Sequence, residues 1–104
     1  MMTENWDNEI DAFIRLGSAE RAQWLVCLAS ALTVAARDTY EAGGDNIRDS
    51  RRMRRFNELL HRTVNQLRHQ IRGDQGFPDD MFFSMLRGET AELGVSFLAL
   101  KSLM

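Results

Sequence analysis

Apolar and polar positions divide the chain into five helical stretches. In the first, Trp6, Ile10, Phe13 and Ile14 recur at steps of 4, 3 and 1, one stripe of an amphipathic helix. Thr3 is a capping residue type ahead of it, and Glu4, Asp7, Glu9 and Asp11 crowd its first turns, where the helix dipole favours negative charge. The stripe ends near Leu16 at Gly17, and Ser18 opens a second helix that reaches about Ala42. Its centre, Ala22 to Ala36, is 15 residues without a charge in a chain that is 27% charged. Leu25, Leu28, Ala29, Leu32 and Ala36 form one face, while Trp24, Cys27, Ala31 and Val34 call for cover from elsewhere.

Gly43-Gly44 marks a turn, with Asp45 or Asp49 available as the next cap. A third helix then runs to about Arg72 and stops at Gly73. Met53, Phe56, Leu60, Val64, Leu67 and Ile71 give it the clearest helical period in the chain, widened by Leu59. Asp74 to Phe77 reads as a loop, and Pro78, Asp79 and Asp80 begin a short fourth helix ending near Gly88. Phe77, Met81, Phe82, Phe83 and Met85 make this segment either a lid over the core or a docking patch. A fifth helix is expected from about Thr90, with Leu93, Phe97, Leu100 and Met104 on one face and Val95 and Leu98 opposite. The fold class that follows is all-α: a four- to five-helix bundle built on a long antiparallel hairpin of the second and third helices. At 104 residues it reads as one domain spanning 1–104.

Charge changes the picture. Residues 1–44 carry three arginines against seven acids, residues 45–72 carry eight against three, and residues 73–104 carry two basic groups against five acids. The net charge of −2 therefore hides a basic middle third. Arg48, Arg51, Arg55 and Arg62 share the side of the third helix away from its apolar stripe, with Glu58 among them and Arg52, Arg54, Arg68 and Arg72 nearby. Beside the stripe lies a polar ridge of Arg54, Asn57, His61 and Arg68, for which Tyr40 is an expected hydrogen-bonding neighbour. The candidate partner-binding residues are thus Arg51, Arg55, Arg62, Asn57, His61 and Arg68. Surplus apolar surface on the second and fifth helices makes Trp24, Val34, Val95 and Leu98 the candidates for self-association as a homodimer.

Catalytic chemistry has little support. No glycine-rich phosphate loop or nucleophile motif occurs, and Cys27 sits in apolar company with no nearby histidine. Glu58 and His61 have the E-x-x-H spacing of bundle metal ligands, but one copy supplies only half a site, so metal binding requires two chains. No cofactor is expected. Ala22 to Ala36 is too short for a bilayer span. Residues 1–8 lack the basic start and apolar run of a secretory signal, and the lone cysteine suits a reducing cytoplasm. The expectation is a small non-catalytic, bacterial-type interaction or regulatory protein of adaptor, inhibitor or antitoxin kind. The alternatives are nucleic-acid binding by the arginine-rich face, and metal binding by Glu58 and His61 across a dimer.

Overall fold

Two long helices lie side by side, and three shorter ones close over one face of the pair. The computed structural model describes residues 5–43, 47–74 and 76–104. The helices are α1 (Trp6–Arg15), α2 (Ser18–Gly43), α3 (Ile47–Arg72), α4 (Asp79–Leu93) and α5 (Phe97–Leu103). The α2–α3 hairpin is the most extensive interface. Helix α5 packs on α2, and α4 joins α1 to α3. The molecule measures 42 × 35 × 20 Å, and its thin dimension is about two helix diameters. The architecture is the expected all-α bundle with the expected hairpin.

Local signals explain most boundaries. The Asn5 side chain caps α1 by accepting from the Asn8 amide at 3.2 Å. The Thr3 and Asp45 caps and Gly44 lie outside the described residues. Asp49 falls inside α3 and cannot cap it, because the helix already begins at Ile47. Gly43 is the last residue of α2 rather than its stop. Gly73 follows α3 at φ 74°, the left-handed conformation expected of a terminating glycine.

The largest departure is in the last third of the chain. Helix α4 does not end at Gly88 but continues to Leu93. A helical glycine costs only about 1 kcal/mol relative to alanine, too little to break a helix whose flanks are both buried. The stop is Gly94, at φ 69°, with its amide donating to the Ala91 carbonyl at 3.1 Å. Ser96 then caps α5 by accepting from the Leu98 amide at 3.1 Å. Thr90, expected to start the fifth helix, is instead buried within α4.

Aromatic side chains from four helices meet in the core. Trp6 and Phe97 lie 4.6 Å apart between ring centroids, Phe13 and Trp24 5.1 Å, and Phe13 and Phe83 5.3 Å. Phe82 meets Phe83 edge to face at 5.9 Å. These offset geometries are the favourable ones for aromatic pairs. Helix α4 is therefore a lid over the core through Phe82, Phe83 and Leu86, while Phe77 and Met81 remain exposed.

Candidate functional site

Helix α3 serves two neighbours, and that decides which of its residues face solvent. Its most deeply buried positions are Phe56, Leu59, Thr63 and Gln66. Met53, Leu60 and Leu67 pack around them on the α2 side, but Ile71 is 70% exposed. At 100° per residue, the buried line is turned roughly 80° toward α4 from the stripe of large apolar residues. One member of the buried line makes a specific tie. Gln66 holds the segment leading into α4: its Nε2 donates to the Phe77 carbonyl at 2.7 Å, and its Oε1 accepts from the Phe77 amide at 3.1 Å.

That rotation moves the polar ridge outward. Arg54, Asn57, His61 and Arg68 are all exposed. Tyr40 is exposed as well, and neither Asn57 nor His61 makes a side-chain hydrogen bond among the described residues. The expected network between Tyr40 and the ridge is not formed. Its ingredients are present, but α3 turns them to solvent.

The arginines separate into two groups. Arg52 Nη2 donates to the Leu93 carbonyl at 2.7 Å, placing positive charge on the C-terminal end of α4, where the helix dipole is negative. Arg55 reaches Glu89 through Nε at 3.1 Å and Glu92 through Nη1 at 3.3 Å. Arg51, Arg54, Arg62, Arg68 and Arg72 are exposed and form no ion pair among the described residues. The side chain of Arg48 lies outside the described part of the structure. A groove of about 600 Å³ opens where the two groups meet, lined by Arg51, Arg52, Arg54, Arg55, Glu58, Glu92 and Leu93.

Sequence reasoning missed Arg52 and Arg54 as members of this groove, Glu92 as an acid lining it, and Glu89 as a second acid on Arg55. Arg52 looked peripheral because its partner is a main-chain carbonyl 41 residues away, which no side-chain pattern reveals. The spacing of Glu89 and Glu92 at i,i+3 was a usable signal for one acidic helix edge.

Glu58 and His61 are both on the exposed face of α3, and no group of three or more His, Cys, Asp or Glu gathers among the described residues. The apolar candidates also separate. Trp24 packs within the chain against Phe13, Phe83 and Phe97, the last two at 5.3 and 6.3 Å, and Ala31 is fully buried. The cover that α2 required is thus largely supplied by α1, α4 and α5. Val95 is half-buried against the core. Val26 and Val34 remain 41% and 37% exposed on the uncharged outer strip of α2, and Leu98 is exposed on α5. Cys27 is half-buried, receives a weak bond from Gln23 at 3.6 Å, and borders a shallow groove with Leu16, Trp24 and Met104.

Among the described residues, no helix is long and apolar enough to cross a membrane. Comparison of the chain with family models, with curated proteins and with solved structures finds no match.

Proposed function

We propose that this chain is a small non-catalytic interaction module that docks an acidic protein partner on the exposed basic face of α3. One observation carries the reading: Arg51, Arg54, Arg62 and Arg68 share a continuous exposed face and have no acidic partner of their own among the described residues. Among the described residues, carboxylates meet Arg55 and none meets these four. Arginine suits such a face, since its planar guanidinium meets a carboxylate with two parallel bonds.

Duplex nucleic acid is a poorer fit. A phosphate backbone laid along the basic face meets Glu58 within the arginine row.

The test is paired capture from the native host. Wild-type protein and an Arg51→Glu, Arg54→Glu, Arg62→Glu variant are immobilised at equal density. A protein retained by the wild type and lost by the variant supports the reading. Identical retained sets for the two proteins overturn it.

Self-association through the outer strip of α2 is a second reading, favoured by the exposure of Val26 and Val34 in a 15-residue uncharged run. Light scattering after size exclusion tests it. A mass of twice 12.0 kDa that falls to one chain in a Val26→Lys, Val34→Lys variant supports it. A concentration-independent mass of one chain removes it.

A further inference from the structure

We propose that the groove between the first half of α3 and the end of α4 receives an acidic helical segment of the partner, one of whose carboxylates replaces Glu92 on Arg55. The proposal rests on the docking role above and adds where the partner sits, what chemistry it presents and what it displaces.

Three features of the groove point this way. The first is the inequality between the two acids on Arg55. Glu89 is 23% exposed and lies 3.1 Å from Nε; Glu92 is 67% exposed and lies 3.3 Å from Nη1. Glu92 is the more weakly held, since exposed pairs gain little from Coulomb attraction and lose side-chain entropy. Its carboxylate marks a position that the groove already satisfies with a carboxylate, and one that an incoming acid can take at small cost.

The second is the set of unengaged donors beside it. Arg51 and Arg54 line the same groove and form no ion pair among the described residues. Arg52 is fixed by the Leu93 carbonyl, so the groove keeps its shape without a ligand. A carboxylate arriving there meets guanidinium groups whose charge no acid among the described residues has taken up.

The third is the position of Glu58. Arg51, Arg55, Glu58 and Arg62 follow one another at steps of 4, 3 and 4 along one side of α3. From Arg51 to Arg62 the row rises about 16 Å, three helical turns. A partner helix laid along it presents side chains at the same intervals. It matches the row with acids opposite the three arginines and a single base opposite Glu58. A polyphosphate backbone cannot skip one position. Its uniform charge meets Glu58 and Glu92 as well as the arginines. The single acid within the basic row therefore selects a patterned peptide over a nucleic acid, by repulsion as well as attraction.

The experiment uses the full chain and a labelled helical peptide carrying Glu at i, i+4 and i+11 and Lys at i+7, with fluorescence anisotropy as the readout. A scrambled peptide of the same composition and a DNA oligonucleotide, single-stranded and duplex, are the comparisons. The patterned peptide is expected to bind at least about tenfold more tightly than the scrambled one, the effect of two or more charge pairs acting together. Arg51→Glu with Arg54→Glu should abolish binding. Glu92→Gln should tighten it by up to about fivefold, the size of one exposed ion pair, because the internal competitor is gone. Exchanging the peptide lysine for glutamate should weaken binding, and Glu58→Arg should restore it. All substitutions are at exposed positions, and circular dichroism verifies that each variant is folded.

Equal affinity for patterned and scrambled peptides overturns the proposal. So does tighter binding of either oligonucleotide, or a Glu92→Gln variant that binds no better than wild type. If the peptide fails while paired capture still returns a partner lost on charge reversal, the docking role stands and the groove assignment falls. If both fail, the docking role falls with it.

Discussion

The Gln66 side chain and the main chain of Phe77 exchange two hydrogen bonds, at 2.7 and 3.1 Å, so that one buried amide reads the peptide of the α3–α4 connection as a neighbouring strand would. This contact fixes where α4 begins relative to α3. It lies on the buried side of α3, opposite the exposed polar ridge.

Replacing Gln66 by leucine keeps the volume and strips both bonds. The Phe77 amide and carbonyl lose their partners in a partly buried setting, which costs about 1–3 kcal/mol. Urea unfolding should show that loss as a lower midpoint. An unchanged midpoint would mean that the connection is held by packing alone.

Gly76 and Gly88 should respond in opposite directions to alanine. A Cβ at Gly76 would lie 2.7 Å from Gln66 Oε1 and 3.0 Å from His69 Cβ. The amide can retreat only by giving up Phe77, so Gly76→Ala is expected to cost about as much as losing those bonds, 1–3 kcal/mol. A Cβ at Gly88 meets nothing within 4 Å, and the residue is mid-helix. Gly88→Ala should therefore stabilise by about 0.5–1 kcal/mol. Thermal melts of the two variants, run side by side, give the sign of each.

Arg21 ties three helices together and should prove sensitive. Its Nε donates to the Leu16 carbonyl at 3.0 Å and its Nη2 to the Ile14 carbonyl at 2.7 Å, closing the end of α1. The guanidinium also lies over the Phe13 ring at 5.9 Å, and 4.0 Å from Asp79 of α4. Arg21→Ala should cost about 1–3 kcal/mol, as charged donors to main-chain carbonyls do when partly buried. Lysine should recover only part of it, since one ammonium lacks the planar fork that reaches both carbonyls. Full recovery by lysine would assign the effect to charge alone.

Much of the architecture was legible in the sequence because it depends on period and punctuation. The Trp6, Ile10 and Phe13 positions of α1, the face of α2, the end of α3 at Gly73 and the acidic first turn of α4 all follow from local rules, while Ile14, expected on the α1 stripe, is 46% exposed. Four features were not legible, for identifiable reasons. Gly88 has the type of a helix stop but sits in a helix held on both sides by tertiary packing. Thr63 and Thr90 count as polar, yet both are buried, with hydroxyls donating to the Leu59 and Leu86 carbonyls at 2.9 Å. That back-bonding hides the polar atom within the helix's own turn, where no pattern of residue types records it. Gln66 is buried for a main-chain partner eleven residues on, and with it the face of α3 turns. The arginine row was visible as charge. Its division into engaged and unengaged members was not, because that depends on where α4 ends.

The core and the outer strip of α2 should behave differently under substitution. Phe83→Ala removes a side chain that is 1% exposed and touches Phe13, Trp24 and Phe82, and should cost about 3–5 kcal/mol. Val26→Ser and Val34→Ser should each change stability by less than about 0.5 kcal/mol in the single chain. Denaturation across a protein concentration series separates the cases. A concentration-dependent loss in the valine variants would bring the α2 strip into an interface.

The docking face is tested most directly by arginine footprinting with a dicarbonyl reagent, on the free protein and on the complex with its captured partner. Arg51, Arg54 and Arg62 are expected to react readily in the free protein and to be protected in the complex. Arg15, exposed at the end of α1, should react equally in both. Unchanged reactivity of the three α3 arginines in the complex would contradict the assignment of this face as the docking surface.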